Sequence, residues 1–303
     1  MAADPRRYEV HSPFDLAEAL RLLALRPGAL RPLAGGTDLL VLTATGVLPE
    51  AEFLELSGLS ELRGIEVRDD EVSLGALTTF TELRRHPVMQ AEFPALVRAA
   101  RETGAVAIQN RGTLGGNIAG ASPAADSPPP LLCYEAKVEL RSADSSRLLE
   151  YRNFHLAYRR TALKPDELIT RILLPRRRRE GVHYFRKVGP RKAQAISKLV
   201  VAGYGTLSEA GTVAELFLAM GAVAPTAVRC RTLEEFLLGK RLDPGDIAGA
   251  VALLAQDIAP IDDLRSTAHY RRVVAANLCA DFLRRLASWK KADGALFAGP
   301  AIW

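Results

Sequence analysis

Apolar positions along this chain recur in helical and strand-like rhythms whose order outlines the fold. Leu16, Ala19, Leu20 and Leu23 keep the three- and four-residue spacing of one helical face. Ser12, Pro13 and Asp15 ahead of them read as an N-cap, a first-turn proline and an acidic first turn. Short strands at Tyr8–Val10 and Ala29–Leu33 flank that helix, so the opening reads β-α-β. Phe53–Leu56 is a further strand, and Ile65, Val67, Val72 and Leu74 around Asp69 and Asp70 predict a hairpin over Gly64–Leu74. Thr78–Arg85 and Pro87–Glu102 read as helices, the second from Val88, Phe93, Leu96 and Val97. Pro128, Pro129 and Pro130 can start a short helix through Leu131 and Leu132, which leaves Asp126 close to its N-terminus.

Lys137–Arg141, Arg147–Tyr151 and Leu168–Leu174 read as strands. At Pro175 the composition shifts abruptly from apolar to charged, which places a domain boundary there. Beyond it, His183–Val188, Leu199–Ser208 and Thr212–Gly221 predict three antiparallel strands, the last two joined by the turn Glu209–Gly211. The remainder reads as helices over Arg231–Leu238, Pro244–Gln256 and Ser266–Trp289. No repeat at a solenoid period is visible.

A length of 303 residues suits two compact domains, and 48% hydrophobic with 25% charged residues is the composition of a globular protein. No apolar run reaches the roughly 18 residues that span a bilayer, and MAADPRRYEV lacks the apolar core of a signal peptide. A cytoplasmic location without a membrane span is therefore expected. Cys133, Cys230 and Cys279 stand far apart with no C-x-x-C pair, which argues against a disulfide framework and against an iron-sulfur cluster held by this chain alone. The five histidines show no H-E-x-x-H spacing, so no metal site is expected. Forty basic and 35 acidic residues leave a net charge of +5. The densest basic run, Arg176–Arg179, carries no interleaved aromatics, and a second group is Arg284, Arg285, Lys290 and Lys291. Both read as a solvated linker and helix face rather than as a nucleic-acid surface.

Two glycine turns carry the candidate chemistry. LAGGTDLL over Leu33–Leu40 follows a strand, and RGTLGGNIAGASPAAD runs over Arg111–Asp126. Neither has the lysine and hydroxyl of G-x-x-x-x-G-K-S/T, and neither is a G-x-G-x-x-G. Gly203-Tyr204-Gly205 imitates the latter only from inside an expected strand, which weighs against a dinucleotide-binding βαβ unit. In the first turn Gly35 and Gly36 can present successive N–H groups to a phosphate, with Thr37 as a hydroxyl donor and Asp38 capping a short helix. In the second, Gly115 and Gly116 can do the same, with Thr113 and Asn117 as side-chain donors. Each could instead be a plain turn; as a pair they suit a pyrophosphate.

The motifs LAGGTDLL, TLGGNIAGASPAAD, FRKVGPRKAQAISKLVVA and STAHYRRVVAANL, in that order from about Arg7 to about Leu286, resemble the FAD-binding medium subunit of the xanthine dehydrogenase and carbon monoxide dehydrogenase family of molybdenum hydroxylases. The resemblance implies an α+β fold: a two-subdomain FAD-binding domain of the vanillyl-alcohol-oxidase (PCMH) type over residues 1–175, divided near residue 58. A smaller C-terminal domain with a three-stranded antiparallel sheet and helices would follow over 176–290, then a tail over 291–303. It implies FAD as the cofactor. Leu33, Ala34, Gly35, Gly36, Thr37, Asp38, Leu39 and Leu40 would lie along the pyrophosphate, with Thr113, Gly115, Gly116 and Asn117 in the second phosphate loop. Asp126 would be an acidic contact, Ile169 a contact near the adenine end and Lys187 a basic contact from the C-terminal domain. Thr103 stands where single-chain xanthine dehydrogenases carry an aromatic residue near the flavin. No catalytic base is implied here.

The implied partners are a small subunit with 2Fe-2S clusters and a large subunit with the molybdenum cofactor, in a heterotrimer or its dimer, with NAD or another acceptor taking the electrons. Two rival readings remain: a self-sufficient flavin oxidoreductase on the same fold, and a nucleotide- or RNA-binding module using the arginine run. Each site residue also has a plain alternative. Asp126 could be only an N-cap, Lys187 a solvent-facing strand residue, Tyr184 and Tyr204 core or edge residues rather than flavin-stacking groups, and Arg271 and Arg272 part of a solvated helix face rather than a partner contact.

Overall fold

In the computed structural model, residues 8–48, 51–176, 180–191 and 193–289 are described. The chain opens with β1 (Tyr8–His11), α1 (Leu16–Leu25), β2 (Leu30–Leu33), α2 (Leu39–Ala44) and β3 (Ala51–Glu55). The three strands form a parallel sheet in the order β1-β3-β2, on which α1 buries the four apolar positions of its spacing beside Leu30, Leu54 and Leu56. The helix starts later than Ser12 suggests, because Asp15 is its N-cap: the carboxylate accepts the Glu18 N–H at 2.7 Å.

Next come β4 (Ile65–Val67), β5 (Glu71–Gly75), α3 (Phe80–Arg85), α4 (Pro87–Glu92), α5 (Pro94–Glu102), α6 (Val106–Gln109), α7 (Leu114–Ala119) and α8 (Pro128–Cys133). The strands β6 (Lys137–Arg141), β7 (Ser146–Glu150), β8 (His155–Ala157), β9 (Arg160–Thr161) and β10 (Leu168–Pro175) complete this part. An antiparallel sheet in the order β4-β5-β10-β6-β7 results, with β8 and β9 as a separate hairpin. The stretch expected as one helix over Pro87–Glu102 is two, meeting at Phe93. Pro94 excludes the helical conformation for the residue before it, and Phe93 sits at φ −130°, ψ 47°.

The last part holds β11 (Val182–Val188), β12 (Leu199–Leu207), β13 (Val213–Gly221), β14 (Val228–Arg229), α9 (Arg231–Leu237), α10 (Pro244–Asp257) and α11 (Ala268–Ala287). The three expected antiparallel strands are present, and the two-residue β14 adds a fourth at the edge of β13. Gly203 and Gly205 lie within β12 because α11 packs directly on them. A Cβ on Gly203 would fall 2.8 Å from the Phe282 ring, and one on Gly205 would fall 2.7 Å from Leu286. Tyr204 between them is buried in the core.

One apolar cluster joins the five-stranded sheet to the C-terminal sheet: Val72, Val138 and Ile172 share it with Leu131 and Cys133 of α8 and with Val200, Ala202 and Ala219. The two sheets are thus held against each other through α8. Arg176, read from sequence as part of a solvated run, is instead anchored, donating to Glu92 at 2.7 and 2.9 Å while its N–H bonds the Asp70 carbonyl. Arg177 to Arg179, Lys290, Lys291 and the 291–303 tail lie outside the described residues. The three cysteines are buried and not joined in disulfides to one another, and burial pushes Cys279 up to about 12. No helix among the described residues is long and apolar enough to cross a membrane.

Candidate functional site

The two glycine turns, separated by more than 70 positions, meet in space. A Cβ on Gly35 would overlap the Arg111 carbonyl, and one on Gly112 would lie 3.3 Å from Thr37 Oγ1. Arg111 Nε donates to the Gly35 carbonyl at 3.3 Å. Opposite, a Cβ on Gly116 would be 3.9 Å from Ala34 Cβ, and one on Gly120 would be 3.9 Å from the Asp38 carboxylate. The stretches run alongside each other, and the absence of side chains at Gly35 and Gly112 permits that close approach.

The first turn leaves a run of backbone donors open. Gly36 has φ +72°, a left-handed conformation that suits glycine. Among the described residues no acceptor is found for the backbone N–H groups of Gly35, Gly36, Thr37 and Asp38, nor for the Thr37 hydroxyl. Successive open N–H groups of this kind form an anion-binding concavity. Asp38 occupies the N-cap position of α2 without capping it through its side chain, since its backbone is already helical at φ −109°, ψ −53°. Leu33 is buried at the end of β2, while Leu39 and Leu40 begin α2, and Leu40 lies over Gly36.

The second turn differs from its sequence reading, because the GGN segment is helix α7 rather than an open loop. Thr113 is its N-cap and accepts the Gly116 N–H at 3.1 Å, and the Gly115 N–H bonds the Ala76 carbonyl at 2.9 Å. Those two N–H groups are therefore already used. What Gly116 provides is a bare, exposed helix surface facing Ala34. Gly115 lacks a side chain because Ala76 leaves no room, with a Cβ falling 2.6 Å from its carbonyl oxygen. Asn117 accepts from Ser127 Oγ at 2.5 Å through its amide oxygen, which leaves its NH₂ as a donor.

At the far end of the glycine stretch a polar cluster is buried. Asp126 is only 5% exposed, with Oδ2 2.6 Å from Lys187 Nζ and 3.4 Å from Thr103 Oγ1, and Oδ1 2.7 Å from Ser197 Oγ. Lys187 also donates to the Glu102 carbonyl at 2.8 Å. Burial pushes the Asp126 carboxyl above its ordinary value, opposed by Lys187, Ser197 and Thr103. The N-cap reading of Asp126 does not hold, since Ser127 stands at the N-cap of α8. Lys187 does not face solvent, because its side chain is 7% exposed and paired.

Three candidates distant in sequence, Thr103, Asp126 and Lys187, thus converge. Ser197 belongs with them although it had no assigned role; its signal was a lone hydroxyl ahead of the apolar run of β12. Ile169 stands apart as a 7% exposed residue of β10, the strand against which α7 packs. Arg271, within STAHYRRVVAANL, is 3% exposed and donates to the carbonyls of Lys198 and Ile261 and to Asp263. It braces the backbone next to Ser197 rather than a solvated face. Tyr184 packs on Phe282 and donates to Asp281 at 2.8 Å, a structural role.

The fit to a dinucleotide-type cofactor is favourable. Four open N–H groups with a hydroxyl suit phosphate oxygens, Gly116 admits close backbone approach, and the Asn117 amide, bonded through Ser127 to the chain next to Asp126, adds a donor. Glu9, His11 and Glu52 lie close enough to share a cation, but Arg26 already occupies that group, 2.6 Å from Glu52 and 3.4 Å from His11.

Comparisons with known proteins show the family and the fold. Residues 6–177 match the family described as FAD binding domain in molybdopterin dehydrogenase, and residues 184–286 match the CO dehydrogenase flavoprotein C-terminal domain. The xanthine dehydrogenase FAD-binding subunit of Escherichia coli O157:H7 is 33% identical over 86% of this chain and 89% of its own. The carbon monoxide dehydrogenase medium chain of Hydrogenophaga pseudoflava is 29% identical over 95% of this chain and 99% of its own. The solved structure of carbon monoxide dehydrogenase from that organism, lacking the Mo-pyranopterin moiety, superposes with a TM-score of 0.88 over 93% of this chain and 97% of that chain at 29% identity. Quinoline 2-oxidoreductase from Pseudomonas putida 86 gives 0.85 at 25% identity, covering 92% and 96%.

Proposed function

The chain belongs to the family of FAD-binding domains in molybdopterin dehydrogenases, and on that premise we propose that it passes electrons from 2Fe-2S clusters of a small partner subunit through FAD to NAD or another acceptor. It is the FAD-binding subunit of a xanthine dehydrogenase and CO dehydrogenase type molybdenum hydroxylase, and so part of an oxidoreductase. The observation that carries the reading is the pairing of four open N–H groups at Gly35–Asp38 with the bare Gly116 surface opposite.

In this reading Leu33–Leu40 bind the pyrophosphate through backbone N–H groups and the Thr37 hydroxyl. Thr113 shapes α7 so that Gly116 and Asn117 face the cofactor. Thr103, Asp126 and Lys187 close the other end, Ile169 supports the adenine end, and the domains divide near residue 175. When bound, FAD supplies a carrier that accepts electrons singly and delivers them as pairs. The chain's own residues position and shield that carrier. Substrate hydroxylation belongs to the molybdenum cofactor of a large subunit, in a heterotrimer or its dimer; the names of relatives as medium chains and FAD subunits support this assembly.

The test is direct. Purified chain is expected to be yellow, with about one FAD per polypeptide, and its flavin is expected to be reduced by NADH or by the reduced small subunit. Reduction by a low-molecular-weight substrate with no partner present would overturn the electron-transfer reading in favour of a self-sufficient oxidoreductase. A colourless protein that binds RNA would overturn both.

A further inference from the structure

We propose that Ser197 is a positioning residue that fixes the Asp126 carboxylate and thereby ties residues 193–197 of the C-terminal part to the cofactor end of the cleft. This rests on the reading of the cleft as the FAD site.

The argument starts from Asp126, whose two oxygens are divided between elements. Oδ2 takes Lys187 from β11 and Thr103 from the end of α5; Oδ1 takes only Ser197 among the described residues. Lys187 and Thr103 are committed elsewhere as well, to the carbonyls of Glu102 and Ala99. Ser197 is therefore the group that holds Oδ1, while Lys187 and Thr103 hold Oδ2. Its hydroxyl is 1% exposed, so water does not replace the bond.

The bond also closes a path through the protein. Asp126 is followed by Ser127, which donates to Asn117 of α7 at 2.5 Å. Ser197, Asp126, Ser127 and Asn117 thus link the segment before β12 to the helix assigned to the second phosphate loop. On the other side, the Lys198 N–H bonds the Val188 carbonyl at 2.8 Å, and Arg271 bonds the Lys198 carbonyl at 3.1 Å. Residues 193–196 hang from that fixed base. Gln194 has φ +51°, the carbonyls of Ala193 and Gln194 accept from Arg191, and Ile196 is 58% exposed next to the buried Ser197. With the hydroxyl removed, residues 193–196 lose their bond to the cleft and Asp126 loses one donor to its charged form.

The charged groups acting on the carboxylate are Lys187 from β11 and Glu102 from α5; Glu102 in turn feels Arg186 and Arg98. Burial raises the Glu102 carboxyl, opposed by Lys187. Because hydrogen bonds from Ser197 favour ionised Asp126, their loss moves proton uptake to higher pH. Protonation dissolves the ion pair, so flavin retention falls as Asp126 takes up its proton.

The experiment is FAD release from the flavin-loaded chain, followed by fluorescence as pH is lowered, for wild type, S197A, S197T and D126N, with thermal unfolding measured in parallel. S197A is expected to release FAD with a midpoint about one pH unit higher, the equivalent of one charge-assisted hydrogen bond at about 1.4 kcal/mol. S197T is expected to restore the wild-type midpoint, and D126N to release FAD without an acid-dependent step. An S197A midpoint equal to wild type overturns the proposal, even with a lowered unfolding temperature, since a merely structural role moves only the latter. If S197A does not fold, a D126N profile identical to wild type overturns it equally. A Gly36→Val variant separates the two levels of inference. If it retains FAD as wild type does, the cofactor reading itself fails; if it loses FAD while S197A keeps the wild-type midpoint, only the role of Ser197 fails.

Discussion

Replacing Lys187 with Met tests the buried cluster most severely, because it removes one charge and leaves its partner inside. Lys187 and Asp126 have side chains 7% exposed and stand 2.6 Å apart. Removing one member of such a pair costs about 3–5 kcal/mol, because the remaining carboxylate is desolvated without its counter-charge. The Glu102 carbonyl loses its donor too. At about 2–4 °C per kcal/mol for a chain of this size class, the unfolding temperature should fall by about 6–20 °C. Asp126 has an escape, which is to bind a proton. Burial already holds its carboxyl above the ordinary value, against Lys187, Ser197 and Thr103, and loss of Lys187 raises it further. The folded variant then binds a proton that the unfolded chain, with an aspartate pKa of about 3.9, does not hold until stronger acid. The deficit against wild type should therefore shrink by up to about 1.4 kcal/mol for each pH unit lowered between the variant's raised pKa and the less raised one of the wild type, and stay constant below both. Thermal unfolding of flavin-free protein at mildly alkaline and mildly acidic pH measures this, since bound ligand would mask it. A deficit unchanged or larger in acid would refute the reasoning. So would a Lys187→Met, Asp126→Leu double variant less stable than Lys187→Met alone.

Gly35→Ala brings a Cβ onto the Arg111 carbonyl, a clash of backbone with backbone that no rotamer relieves; the turns should part, with a stability loss of about 1–3 kcal/mol and at least about tenfold weaker FAD binding. Flavin per polypeptide after gel filtration checks it, and full occupancy would disprove the close approach. Gly116→Val places a Cβ 2.9 Å from Thr113 Oγ1, which should disturb the α7 cap at about 1 kcal/mol and narrow the gap to Ala34, again read as lost flavin. Burial alone would raise the Asp263 carboxyl, but Arg271 and the N–H groups of Arg265 and Ser266 outweigh it and hold it at about 2. Its stabilisation is present above the unfolded value near 3.8 and is lost as pH falls through about 2; solvent screens this exposed residue, so Asp263→Asn should cost about 1 kcal/mol at neutral pH and flatten the acid limb of a urea-stability profile. Thr79→Ala removes the capping box with Glu82 at the start of α3 and should cost about 1 kcal/mol by urea titration.

Much of the architecture was legible because its causes are local. Short apolar runs in Leu168–Leu174, Leu199–Ser208 and Thr212–Gly221, and the spacing of Leu16, Ala19, Leu20 and Leu23, place strands and helices without reference to the rest of the chain. The order of the glycine motifs identified the family for the same reason, since turn chemistry is written in adjacent residues. Other features depend on neighbours that sequence distance hides. Gly35 must be glycine because the backbone of Arg111 lies against it, and Gly115 because Ala76 does. The GGN segment became a helix because Thr113 caps it and Ala76 takes the Gly115 N–H; composition alone favoured an open loop. From sequence Arg176 reads as a solvated cation, and Arg271 as either a partner contact or part of a solvated face, until their carboxylate and carbonyl partners arrive from elsewhere in the fold. Most of all, Thr103, Asp126, Lys187 and Ser197 had no common pattern along the chain. Only packing the C-terminal sheet on the cofactor half, through α8, buried them together, and in that dry setting each hydrogen bond acquires a weight it would not have in water.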